Sequence, residues 1–297
     1  MFENKIPIAE MRRKTVDTMR KEFEFVEVGK IGKSVCGRDI DVLRLGNKRK
    51  SNLWVGAHHG LEWMTTLLVF EFFYDICKNL KFNKRVNGID IKAALEEKGL
   101  TIVPCLNPDG VEIALTGFGA VNKQELPIKN IGDEFSDLWQ ANANGVDLNH
   151  NYDAGWELLH KMERENGILG AGHTRYGGER PESEPETKAL TNFCRENKFE
   201  SAIAFHSQGE EIYWDYGTHT PKDSVKFANI FALIGGYNVS KPEGLAVGGG
   251  FKDWFIEEFG KPAYTIEIGK GKNPLPLKEF SEIYKKLEKA LYFCILN

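Results

Sequence analysis

Ser51-Asn52-Leu53-Trp54-Val55-Gly56-Ala57-His58-His59-Gly60-Leu61-Glu62-Trp63 is the stretch whose reading decides the fold. Residues 52–57 make a short apolar run, the pattern of a strand buried on both faces. Two histidines and a glycine follow, and then a long apolar segment with helical spacing that starts at Glu62. A strand that empties through a short turn into a helix is the repeating unit of an α/β sheet, and such sheets build their sites at the strand ends. His59 and Glu62 stand three residues apart at such an end, so both side chains can enter one crevice. Zinc in a hydrolytic site takes three protein ligands, commonly two His and one Glu, and keeps a position for water. His59 and Glu62 are therefore candidates for the first two.

The rest of the chain extends the pattern outward in both directions. Towards the N-terminus, spacing predicts a helix over 8–23 and strands over 25–31 and 40–45. Towards the C-terminus it predicts a helix over 62–80, a helix over 91–98 and a strand over 100–104. A Gly-, Asn- and Lys-rich loop over 116–146 comes next, then a helix over 156–166 and a second glycine-rich loop to 178. Ser183-Glu184-Pro185-Glu186 reads as a helix start with a capping serine. A strand over 201–205, helices over 221–233 and 251–259, a strand over 263–268 and a helix over 276–295 complete the chain. The expectation is one α/β domain spanning 1–297: three layers, α/β/α, around a mixed, mostly parallel twisted sheet.

Two more apolar strands carry groups that need an explanation. His206 ends the run Ser201-Ala202-Ile203-Ala204-Phe205 and is the candidate third ligand. Glu267 stands between isoleucines in Ala263-Tyr264-Thr265-Ile266-Glu267-Ile268. A carboxylate there must be satisfied or functional, since burying it unpaired costs several kcal/mol. As a general base it would take a proton from water and pass it to a leaving amine. His58, His160, His173 and His219 read as surface or loop residues, and Asn107, Asp109 and Gly110 as the formers of a turn.

Composition excludes several classes. Lys and Arg number 39 against 43 Asp and Glu, a net charge of −4, which gives no footing for nucleic acid or an anionic membrane. No apolar run reaches the roughly 18 residues of a membrane span. The start, Met1-Phe2-Glu3-Asn4-Lys5, lacks the apolar core of a signal peptide, and the five cysteines are scattered without a Cys-x-x-Cys. The expectation is a cytoplasmic protein with reduced thiols; its oligomeric state stays open.

His59-Gly60-Leu61-Glu62-Trp63, Asn107-Pro108-Asp109-Gly110, Gly145-Val146-Asp147-Leu148-Asn149, Phe205-His206-Ser207, Asp253-Trp254 and Thr265-Ile266-Glu267 stand in one order. In that order they resemble the zinc carboxypeptidases of the carboxypeptidase A type, over roughly residue 31 to the end. The resemblance implies one zinc ion on His59, Glu62 and His206, Glu267 as base, Asp147 orienting His59, and Asn149 holding a substrate carboxylate. The match covers nearly the whole chain, so the expectation is a catalytic domain without the N-terminal inhibitory domain of the digestive members.

Three departures bear on substrate. His150 stands where the digestive enzymes carry the arginine that grips the terminal carboxylate. Their mobile tyrosine is replaced within 245–250. Their oxyanion arginine has no counterpart, because 111–144 contains no arginine; Gln140 is the nearest donor, with Asn142 and Asn144 close by. Lys252 precedes Asp253-Trp254, where the family floors its side-chain pocket, and a lysine there would favour a carboxylate. Gly249-Gly250-Phe251-Lys252-Asp253-Trp254-Phe255 also resembles the bacterial branch that cuts γ-D-glutamyl–diamino acid bonds in murein peptides. The expected function is zinc-dependent hydrolysis of γ-D-glutamyl–meso-diaminopimelate bonds in a small murein peptide. A general metallocarboxypeptidase, a deacylase on the same fold, and a binding module that has lost its chemistry remain as alternatives.

Overall fold

The computed structural model describes residues 5–296; the charged start at 1–4 lies outside the described residues. Ten strands run in chain order as β1 (Glu27–Lys33), β2 (Asp39–Leu45), β3 (Ser51–Val55), β4 (Arg85–Val86), β5 (Ile89–Asp90), β6 (Gly99–Val103), β7 (Phe199–Ser207), β8 (Glu211–Tyr213), β9 (Asn238–Val239) and β10 (Ala263–Ile268). Eight of them form one sheet in the order β1-β2-β6-β3-β7-β10-β8-β9, and β4 with β5 forms a separate hairpin. The centre is parallel: β6 with β3, β3 with β7, and β7 with β10. Antiparallel pairs at β1-β2, β2-β6 and β10-β8 make the sheet mixed, as expected.

The helices are α1 (Ala9–Glu22), α2 (Met64–Lys81), α3 (Ile91–Glu97), α4 (Pro108–Thr116), α5 (Trp156–Glu165), α6 (Pro185–Glu196), α7 (Ser224–Gly235), α8 (Phe251–Phe259) and α9 (Phe280–Cys294). They cover both faces of the sheet, because alternate strand residues point to opposite sides. Trp54, Ile203 and Phe205 pack in one cluster with Leu67 and Phe72 of α2, Phe231 of α7 and Leu287 of α9. Leu53, Val55, Ala202 and Ala204 pack in a second cluster with Leu190 of α6 and Trp254 and Phe255 of α8. Gly236 and Gly260, at φ +67° and +59°, close α7 and α8 in the left-handed conformation that ends many helices.

Four local expectations change. A 3-10 turn, Gly60–Glu62, precedes α2, so Glu62 sits before the helix rather than in its first turn. Residues 107–110 form more than a turn: Asn107 caps α4 by accepting from the Gly110 N–H, and Pro108 takes the first turn, where its missing N–H costs nothing. Ser183 does not cap α6. The cap position is Glu184, and the Ser183 hydroxyl bonds the Glu184 carboxylate instead. The 116–146 segment holds successive short 3-10 helices, among them Phe118–Ala120 and Asp133–Leu138. Short β8 and β9 carry too few residues to show a period. No helix among the described residues is long and apolar enough to cross a membrane.

The order of strand addition reverses at β3: the chain goes from it to β6 on one side and then to β7 on the other, both parallel to it. Such a switch point opens a crevice at the carboxyl ends of the strands. His59 lies just past the end of β3, while His206 in β7 and Glu267 in β10 are register partners one residue before their strands end.

Candidate metal centre and pocket

Four donor atoms converge at that crevice. His59 Nδ1 lies 2.9 Å from Glu62 Oε1, His206 Nδ1 lies 3.0 Å from Glu62 Oε2, and the two Nδ1 atoms are 3.3 Å apart. One ligand atom from each residue falls within 4.8 Å of the others. Two nitrogens about 2.1 Å from a tetrahedral zinc would stand roughly 3.4 Å apart, so the spacing fits the ion. The tautomer fits as well. His59 Nε2 donates to Asp147 Oδ1 at 2.9 Å, which leaves the Nδ1 lone pair facing the cluster. His206 stacks against His58 at 5.2 Å between centroids, and its buried Nε2 has no partner among the described residues.

The charges of the cluster shift one another. Burial opposes a charged His59, but the Glu62 and Asp147 carboxylates on its two sides raise its pKa well above the ordinary value. Burial likewise opposes an ionised Glu62, yet His59 and His206 bring it down to about 2. The carboxylates thus favour a positive charge at this point, and a metal cation would replace the proton that His59 otherwise holds. Glu267 is the reverse case. Burial, with the nearby charge of Glu62, pushes its pKa well above the ordinary carboxylate range.

The loop that carries His59 is fixed by close backbone approach. A side chain at Gly60 would bring its Cβ to 2.3 Å from the Gly110 carbonyl oxygen, so only glycine fits. The Gly60 N–H donates to the Gln140 carbonyl and the Leu61 N–H to that of Trp139. Asn107 ties the same region together, donating from Nδ2 to the carbonyls of His58, Gln140 and Ala141. Its motif position was visible in the sequence, but this bridging role was not. His58 is not a surface residue: it is fully buried, its Nε2 lies 3.1 Å from the Tyr152 hydroxyl, and burial drives its pKa well below normal. His160 also has a fixed partner, Glu163.

A cavity of about 390 Å³ opens over the cluster. His59, His206, Asp147, Glu267, Asn149, His150, Lys252 and Gln140 all line it, and Glu62 lies beneath. These candidates are thereby brought together, whereas Asn142 and Asn144, the other neutral donors, spend their amides on Glu184 and Glu186 and do not line the cavity. Their partners refine the expectations. Asn149 Oδ1 accepts from the Phe251 N–H, leaving its amide nitrogen without a partner among the described residues. His150 Nδ1 is held 2.8 Å from Glu163 Oε1, while His160 Nδ1 binds the other oxygen of Glu163 at 2.9 Å. Gln140 Oε1 accepts from the Thr174 hydroxyl, so only its Nε2 remains to donate. Lys252 is less free than its place in the sequence implies: it is buried, pairs with Asp253, and donates to the Asp215 carbonyl at 2.9 Å. Gly249, at φ +65° and with His150 O at 2.8 Å from an added Cβ, lets the 245–250 segment pass against this wall. Arg175 and Tyr213 also line the cavity, and no motif in the sequence pointed to either.

The pattern of a family described as zinc carboxypeptidase, peptidase family M14, matches residues 13–291. Gamma-D-glutamyl-L-diamino acid endopeptidase 1 of Lysinibacillus sphaericus is 32% identical over 279 residues, covering 93% of this chain and 69% of that protein. Among solved structures, bovine thrombin-activatable fibrinolysis inhibitor in complex with tick carboxypeptidase inhibitor superposes with a TM-score of 0.76 at 19% identity, over 99% of this chain and 98% of that one. Murein-tripeptide amidase MpaA from Escherichia coli O157 gives 0.54 at 18% identity, over 91% and 92%. At such identities the structural matches speak to the fold.

Proposed function

As a member of the zinc carboxypeptidase family this chain is a zinc metallopeptidase, and we propose that it hydrolyses the γ-D-glutamyl–meso-diaminopimelate bond of murein-derived peptides. In this reading His59, Glu62 and His206 hold the zinc, and Asp147 keeps His59 in the ligating tautomer. Zinc bound there supplies the Lewis acidity that makes water a nucleophile near neutral pH and polarises the scissile carbonyl. Glu267 takes the proton of the attacking water and delivers it to the departing amine; its lifted pKa makes it the stronger acceptor. Gln140 Nε2 is a neutral donor for the developing oxyanion, and Asn149 with the free edge of His150 faces a substrate carboxylate.

The observation that carries the substrate assignment is Lys252 in the lining of the pocket. An ammonium group has three donors; Asp253 and the Asp215 carbonyl take two, and the third is left for a carboxylate on the substrate side chain. Diaminopimelate ends its side chain in such a group. The sequence similarity to an enzyme named for γ-D-glutamyl–diamino acid bonds supports the same reading. Zinc-loaded protein offered L-alanyl-γ-D-glutamyl-meso-diaminopimelate beside peptides ending in Phe or Lys should cleave the first with the highest kcat/KM. Faster cleavage of the Phe or Lys peptides would remove the murein assignment and leave the peptidase in place.

A further inference from the structure

The 111–144 interval holds no arginine, yet the pocket does: Arg175, from the loop between α5 and α6, lies in its lining. Its backbone is tied to the metal centre. The Arg175 N–H donates to Asp147 Oδ2 at 3.0 Å, and the Asp147 N–H donates to the Tyr176 carbonyl at 2.8 Å. The other oxygen of Asp147 accepts from His59. Arg175 holds this place at φ +63°, a left-handed conformation that few residues other than glycine, asparagine and aspartate adopt.

The lysine and the histidines in the lining already have anionic partners. Lys252 pairs with Asp253, His150 with Glu163, and His59 and His206 with Glu62. The Arg175 side chain is exposed and makes no ion pair or hydrogen bond to the described residues. A guanidinium is a planar fork suited to gripping a carboxylate through two bonds. We propose that Arg175 binds a carboxylate of the substrate at the open side of the pocket. A guanidinium from the 167–178 loop then selects acidic peptides where the 111–144 interval supplies no arginine. The proposal rests on the peptidase reading above and deepens it: the substrate presents its side-chain carboxylate to Lys252 and its terminal carboxylate to Arg175, which joins Asn149 and His150 in facing it.

The test compares wild type, R175N and R175K on the peptide that wild type cleaves best, prepared as the free acid and with its terminal carboxylate amidated. Asparagine tolerates the left-handed backbone, so R175N removes the charge with the loop retained. On the free acid, R175N should lose roughly 10-fold to 100-fold in kcat/KM, mostly through KM, with R175K between the two. On the amidated peptide R175N and wild type should agree within roughly twofold, with zinc content unchanged in both. Equal losses on both peptides would assign Arg175 to holding Asp147 in place, and no loss on either would make it a solvated surface residue; each outcome overturns the proposal. Because the substrate is whichever peptide wild type prefers, failure of the murein assignment leaves this comparison intact.

Discussion

The floor and the rim of one cavity are built by different means. The floor is the metal cluster and Glu267, set on or just past the ends of three central strands and held by sheet register. The rim consists of the first turn of α8, which carries Lys252, and of loops, 139–151, 173–178 and 242–250, fixed largely by side-chain amides. Asn142 accepts from the Asn144 and Val146 N–H groups and donates to Glu184 and Glu186. Asn151 donates to the Gly177 and Arg180 carbonyls and to the Ser183 hydroxyl. A buried amide that loses its partners costs about 1–3 kcal/mol, so these bonds are strong constraints on loops without ladders. The difference separates two tasks. The sheet fixes the reacting groups, and the loops, which can change without moving a strand, choose the substrate.

The largest expected effect isolates the floor. Glu267→Gln keeps the shape of the site and removes the proton acceptor, so kcat should fall roughly 100-fold to 10,000-fold while zinc stays bound. Steady-state kinetics with metal analysis checks this, and near-normal turnover would mean the proton goes elsewhere.

At the rim, Lys252→Met leaves the buried Asp253 carboxylate without its cation. Breaking one side of such a pair costs about 3–5 kcal/mol, which denaturant unfolding would read directly. The double variant K252M/D253N should regain most of that stability yet still lack the preference for a side-chain carboxylate. A double variant as selective as wild type would show that Lys252 has a structural role alone.

A smaller effect reports on the support behind the rim. Glu186 is buried on α6, where it accepts from the Val35 N–H and from Asn142, and burial pushes its pKa up to about 8. Its folded pKa exceeds the ordinary 4.5, so the folded state keeps a proton that the unfolded chain releases. The stability this contributes is fully present below about 4.5 and lost as pH rises through about 8. Thermal melts should therefore show wild type losing roughly a few degrees of Tm between pH 6 and pH 9, and E186Q losing less. Parallel curves for the two proteins would remove Glu186 as the titrating group.

The same division explains what could be read from the chain alone. His59, His206 and Glu267 were legible because each interrupts or ends an apolar run, and a polar residue in such a run demands a reason. The sheet was legible in its central strands for the same cause; β8 and β9 were too short to carry a period. Arg175 was not legible. Nothing near it in sequence marks a site, and its place depends on a hydrogen bond to Asp147, 28 residues away. The Lys252–Asp253 pair was hidden differently: both residues were in view, but adjacency in sequence does not say that two side chains meet. The burial of His58 was not legible either, because Tyr152 and Phe251 pack on it from distant parts of the chain.

Zinc content of the dialysed protein tests the central claim most directly, read for wild type and for the double variant E62Q/H206A with circular dichroism to confirm that both are folded. The account predicts roughly one zinc per wild-type chain and close to none in the folded double variant. A double variant that keeps its zinc, or a folded wild type that binds none, would contradict it.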